Sequence, residues 1–158
     1  MKHRWIIAGV VAPLAVAATA FAAGPAPFVG EWHWDKARSV SPPGEPQPRA
    51  VVLTITSADA AHVAWRLAMT GDNGEQHQQS FNGTGDGKPV AVAGSTGGAT
   101  AAFIVTATTL DSIYSYPDGA SDKSSCALSA DARTMTCHGT ENDGKGHAAA
   151  YADVYDRH

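Results

Sequence analysis

The chain is poor in helix-building material: its 158 residues include five leucines, against sixteen glycines and nine prolines. That balance disfavours a helical bundle, which needs stripes of large apolar residues at helical spacing. It also lacks βαβ alternation, and no internal repeat is long enough for a propeller or solenoid. Basic charge is short, with 11 Lys and Arg against 15 Asp and Glu. This argues against nucleic acid or an anionic lipid surface as a partner, because both are recognised by basic patches. The signatures of catalysis are missing as well: there is no Gly-x-Ser-x-Gly, no His-Glu-x-x-His and no Gly-rich phosphate loop. Gly94-Ser95-Thr96-Gly97-Gly98 has the glycine content of an anion cradle, but it lacks the Lys and the following helix that one needs, and reads as a hairpin loop. The chain is therefore read as a non-enzyme without a cofactor.

Among the seven histidines, His3 and the terminal His158 are set aside. The remaining His33, His62, His77, His138 and His147 show no metal-pair spacing, so no metal site is expected. Glu31 and His33 share the strand face opposite Trp32 and Trp34 and are expected to point outward.

At the head of the chain, Lys2, His3 and Arg4 precede an apolar run from Trp5 to about Ala20. Ala20-Phe21-Ala22 then places small residues where a signal peptidase cuts. Residues 1–22 read as a secretory signal peptide and 23–158 as one domain, exported to the periplasm or the medium. Losing Lys2 and Arg4 and no acid shifts the formal charge from −4 to −6. The apolar run is too short and Ala-rich for a membrane span, and no second one follows, so no membrane insertion is expected after cleavage. No cysteine stands at the cut to carry a lipid.

The mature chain reads as short strands and turns. Phe28-Val29-Gly30-Glu31-Trp32-His33-Trp34 opens it, with Gly30, Trp32 and Trp34 on one face. Four prolines between Pro42 and Pro48 make an extended surface loop, either a lid or a spacer. Val51–Thr56 is β-branched. In His62–Thr70 the alternation puts Val63, Trp65, Leu67 and Met69 on one side, the mark of a half-buried antiparallel strand. Gly71-Asp72-Asn73-Gly74 turns the chain into a polar strand, Glu75–Phe81, which either lines a polar part of the interior or is a weak edge. Further strands are read at Pro89–Val92, Ala101–Thr106, Leu110–Tyr116, Ser124–Ser129, Arg133–His138 and His147–Arg157. A meander of eight to ten strands disposes of its free edges by closing into a barrel. The expected fold is a single all-β, antiparallel up-and-down barrel.

Several motifs carry a resemblance across the mature chain. These are Phe28-x-Gly30-x-Trp32 with Asp35-Lys36-x-x-Ser39, the Pro-rich loop, Asp86-Gly87-Lys88-Pro89-Val90, Ser129-x-Asp131 and the terminal Val154-Tyr155-x-Arg157. Together they resemble a group of small secreted bacterial proteins described as lipocalin-like, which has no agreed activity. Asp131-Ala132 stands where that group tends to have Asp-Gly, and the cysteine pair is not general in it. The resemblance implies export and a lipocalin-like barrel in which Gly30, Trp32 and Arg157 close one end, the guanidinium stacked over the indole. Whether Arg157 faces inward stays open, because it shares parity with Tyr151 and Tyr155 while Ala148, Ala150 and Ala152 form the other face.

Cys126 and Cys137 are equidistant from the turn at Asp131-Ala132, with Leu128 opposite Met135. That register sets the sulfurs across an antiparallel pair and predicts a disulfide acting as a staple. Trp34, Trp65, Leu67, Met69, Phe103, Val105, Tyr114 and Tyr116 share faces with other apolar residues. In an open barrel they line a pocket for a small hydrophobic or amphipathic ligand; in a filled barrel they are core. Small barrels are often packed by their own side chains; the alanines of the last strand are what keep the cavity reading open. A filled barrel points instead to an envelope protein partner, and a hydrolase with an unrecognised site is the weaker alternative.

Overall fold

Alternating apolar positions and closely spaced turns make strands that can only bury one face, and the chain answers by curling its sheet shut. The computed structural model describes residues 27–158; the expected signal peptide lies outside them. Ten strands follow in order: β1 (Gly30–Trp34), β2 (Ala50–Ala58), β3 (Val63–Thr70), β4 (Gln76–Gly83), β5 (Val90–Ala91), β6 (Thr100–Val105), β7 (Thr109–Ser115), β8 (Ser121–Leu128), β9 (Thr134–Asn142) and β10 (Ala148–Arg157). Consecutive strands pair antiparallel from β1 to β4 and from β5 to β10, and β1 pairs with β10. Between β4 and β5 only Ser80 and Ala93 bridge, exchanging two backbone hydrogen bonds of 2.9 Å. The result is a nearly closed antiparallel barrel with one thin seam.

The polar composition of β4 accounts for that seam, since Gln76, Gln78 and Gln79 give a neighbour little to pack on. A β-bulge between Ile55 and Ser57 shifts the register of β2 against β3. It returns Ala58 to the inner face, where that residue is buried opposite Val63. Strands β8 and β9 run longer than the sequence suggests, starting at Ser121 and ending at Asn142.

One end of the barrel is solid. Phe28, Trp32, Ile55, Val63 and Met135 are its most deeply buried large side chains. The Trp32 indole donates to the Phe28 carbonyl at 2.9 Å. Arg157, paired across from Trp32, lies with Cζ 4.2 Å from the indole centroid. Its guanidinium donates to the carbonyls of Ala132, Val29 and Pro27 at 2.7, 2.6 and 2.5 Å. Gly30 leaves room for this arrangement, because a Cβ there would sit 2.6 Å from Arg157 Nη1. The inward parity of β10 is therefore Tyr151, Tyr155 and Arg157, and the question left open by the sequence is closed. The alanines lie on the other face: Ala148 and Ala150 are exposed, and Ala152 bridges outward to Val40.

Replacing Arg157 by Ala leaves three carbonyls without their donor and one indole face uncovered. The expected cost is about 2–3 kcal/mol, several ordinary hydrogen bonds' worth. Arg157→Lys recovers less than half, because one ammonium cannot span three diverging acceptors. Urea denaturation with an unchanged m-value checks both; wild-type stability in R157A would remove the clamp from the account.

Candidate functional site

Above the solid end the barrel is not filled. A cavity of about 240 Å³ occupies the middle of the lumen. The register of four strand pairs explains the space: Phe103 (β6), Ser112 (β7), Ser124 (β8), Gly139 (β9) and Tyr151 (β10) stand in one row around the wall. Three consecutive members of that row are small. The two serines join Oγ to Oγ at 2.8 Å, and the Tyr151 ring lies across Gly139, where a Cβ would come within 2.1 Å of it. On the facing wall, Trp65 stacks on Phe81 with centroids 6.0 Å apart, and beside the serines Phe103 meets Tyr114 edge to face at 6.0 Å. Leu53, Ile55, Leu67, Leu110 and Met135 complete the apolar lining.

Polar groups interrupt this surface on one side. Asp122 accepts a hydrogen bond from the Tyr151 hydroxyl at 2.8 Å, and Asp153 accepts one from the Trp34 indole N–H at 2.8 Å. Burial pushes both carboxyls above their usual range. Burial likewise raises the phenols of Tyr114 and Tyr155, and that of Tyr151 with help from the Asp122 charge. Among the described residues no Lys, Arg or His lines the cavity.

The lumen opens past Tyr116 and Asp122, which also line an outer groove formed with the Pro-rich loop. Pro42 is buried there, and Pro43 and Glu45 lie opposite Glu141, Asp143 and His147. The loop thus forms one lip of the mouth. Burial first, and then the facing Glu45, push the Glu141 carboxyl up to about 7. Asp143, held by His147 Nδ1 at 2.7 Å, moves the other way, to about 2.

Of the residues expected to line the lumen, Trp65, Leu67, Phe103, Tyr114 and Tyr116 stand on the cavity wall. Three others do not. Trp34 lies behind Asp153, which it orients; Met69, next to the last residue of β3, is beyond the cavity; and Val105 packs at the solid end against Gly85. The cavity occupies only part of the lumen's height, and strand parity alone cannot give height. Nor does the space come from the β10 alanines, which face outward; Ser112, Ser124 and Gly139 supply it. Cys126 and Cys137 are bonded, S–S 2.06 Å, at directly paired positions. The bond also forms part of the cavity wall, a placement the sequence reading did not anticipate. Asp122, Tyr151, Asp153 and Tyr155 were missed as well. The signal was available: Asp122 and Ser124 share the parity of the inward Cys126, and Tyr151, Asp153 and Tyr155 share that of Arg157.

Among the described residues no group of metal-ligating side chains converges, and no helix is long and apolar enough to cross a membrane. No protein-family model and no curated protein matches the chain. Among solved structures it is similar to a redesigned β-barrel, with a TM-score of 0.52 and 12% identity over 84% of this chain and 92% of that one. It is also similar to EF1p2_mFAP2b bound to DFHBI, with a TM-score of 0.47 and 11% identity over 84% and 94%. The first likeness is one of fold alone, and the second is too low to carry an argument.

A carboxyl held protonated by the fold makes stability fall as pH rises. The unfolded chain ionises Glu141 near its ordinary 4.5, whereas the folded protein resists until about 7, so unfolding is favoured increasingly across that window. Thermal melts from pH 4.5 to 8 should show Tm declining, and E141Q should flatten part of the decline. A profile for E141Q parallel to that of wild type would show that Glu141 does not hold its proton.

Proposed function

We propose that the protein is an exported, lipocalin-like barrel that binds one small hydrophobic or amphipathic molecule in its lumen, without performing chemistry on it. The observation that carries this reading is the cavity of about 240 Å³, walled by aromatic and aliphatic side chains and opening at one lip-bounded mouth. Binding sites for small molecules have this make-up: concave, mostly apolar, with a few polar groups that fix orientation. The cavity lies below the range of about 300–1,000 Å³ typical for drug-sized ligands, so the occupant is correspondingly small. A disulfide fits an oxidising compartment, and the basic, apolar and small-residue pattern of residues 1–22 fits a cleaved leader.

Trp65 on the cavity wall provides an intrinsic reporter. Titration with three aromatic compounds of matched shape, 2-phenylethylamine, 2-phenylethanol and 3-phenylpropionate, is expected to give a saturable change in tryptophan emission with at least one. Ser124→Leu, which fills the small-residue row, should abolish that change while the far-ultraviolet dichroism of the barrel is retained. No saturable response to any of the three would overturn the binding reading.

A further inference from the structure

We propose that the lumen selects for positive charge, taking a protonated amine carried on a small apolar or aromatic body. The inference rests on the reading of the lumen as a binding site and names the chemistry of its occupant. Two carboxylates, Asp122 and Asp153, line a cavity whose wall carries no basic side chain among the described residues. Each receives one hydrogen bond from a neutral donor, Tyr151 O–H and Trp34 N–H. A carboxylate has about four acceptor positions, so both keep capacity toward the cavity. A buried carboxylate without a counter-charge is costly, and neutral donors offset only part of that cost.

A second observation points to a ligand independently of the acids. Tyr155 is 9% exposed and lines the same cavity, yet no described residue hydrogen-bonds its hydroxyl. Among the described residues no sealed side-chain polar atom lacks a partner, so the unbonded Tyr155 oxygen is open to the cavity and has its acceptor position free there. Here the phenol oxygen is available to accept from an ammonium donor. Trp65 and Phe103, with Tyr114 paired beside Asp122, present aromatic surface to the same cavity, which attracts a desolvated cation through its ring quadrupole and buries an apolar body equally well. The mouth is of the same sign, with Glu45 and Glu141 facing each other across it, so the approach to the lumen also favours a cation.

The same three compounds decide the matter, titrated at pH 7.5 where the amine is protonated. 2-Phenylethylamine is expected to bind at least about tenfold more tightly than 2-phenylethanol, a difference of one counter-charge in a partly desolvated site, and 3-phenylpropionate more weakly than either. Asp122→Asn and Asp153→Asn keep the side-chain size and remove the charge; each should shrink the amine-to-alcohol ratio. Equal or tighter binding of the alcohol by wild type would overturn the charge preference and leave the binding lumen standing. An amine preference that survives in both variants would overturn the assignment to these carboxylates. The wild-type ratio is decisive by itself should either variant fail to fold.

Discussion

The barrel depends on one clamp, the Arg157 guanidinium lying on the Trp32 indole while its N–H groups hold three backbone carbonyls. All pairings other than β1 with β10 join neighbours in the chain and can form locally. The β1–β10 pairing brings together segments more than a hundred residues apart and must overcome the entropy of closing that loop. Arg157 acts where this is needed. It ties β10 to the segment before β1 through Val29 and Pro27, and to the β8–β9 turn through Ala132. Ala132 sits at a φ of 55°, unusual for a residue with a Cβ. That the turn tolerates alanine where glycine would be unstrained is in keeping with its carbonyl being held from the side.

The solid end and the open middle follow from the same set of strands. At the clamp the inward residues are large, and they meet across the axis; one step further along, β7, β8 and β9 contribute Ser112, Ser124 and Gly139 and no longer reach it. A barrel of this kind gives up core packing in its middle, and the disulfide between Cys126 and Cys137 staples two of the strands that carry the small residues. The covalent link therefore stands where apolar packing is weakest, on the wall of the cavity itself.

Much of this architecture was legible in the sequence. The period-two alternation of Val63, Trp65, Leu67 and Met69 located β3 and its inner face, and the equal spacing of Cys126 and Cys137 about Asp131-Ala132 gave the β8–β9 register and with it the disulfide. The inner face of β10 was legible only through its shared parity with Arg157, because Ala148, Ala150 and Ala152 look like the quieter, core-facing side, whereas Tyr151, Asp153 and Arg157 look like surface. In this barrel the interior is partly polar, so polarity does not report facing. The start of β8 was hidden for a related reason: Ser121, Asp122 and Lys123 read as turn residues, and the first of the two lumenal carboxylates lay within them. Cavity height was beyond reach altogether, since strand tilt decides which inward residues share a level.

The seam between β4 and β5 bears on how the interior communicates with solvent. Two backbone hydrogen bonds between Ser80 and Ala93 hold it, and beside them the chain passes so close to β4 that a Cβ on Gly94 would fall 2.2 Å from the Gln78 carbonyl oxygen. Everywhere else, parting the staves of the barrel means unzipping a hairpin or the β1–β10 closure; here it means releasing a single latch. Local opening is cheapest where the fewest bonds resist it, so this seam is where the barrel wall yields first, beside Gln79, which lines both the cavity and the groove outside it.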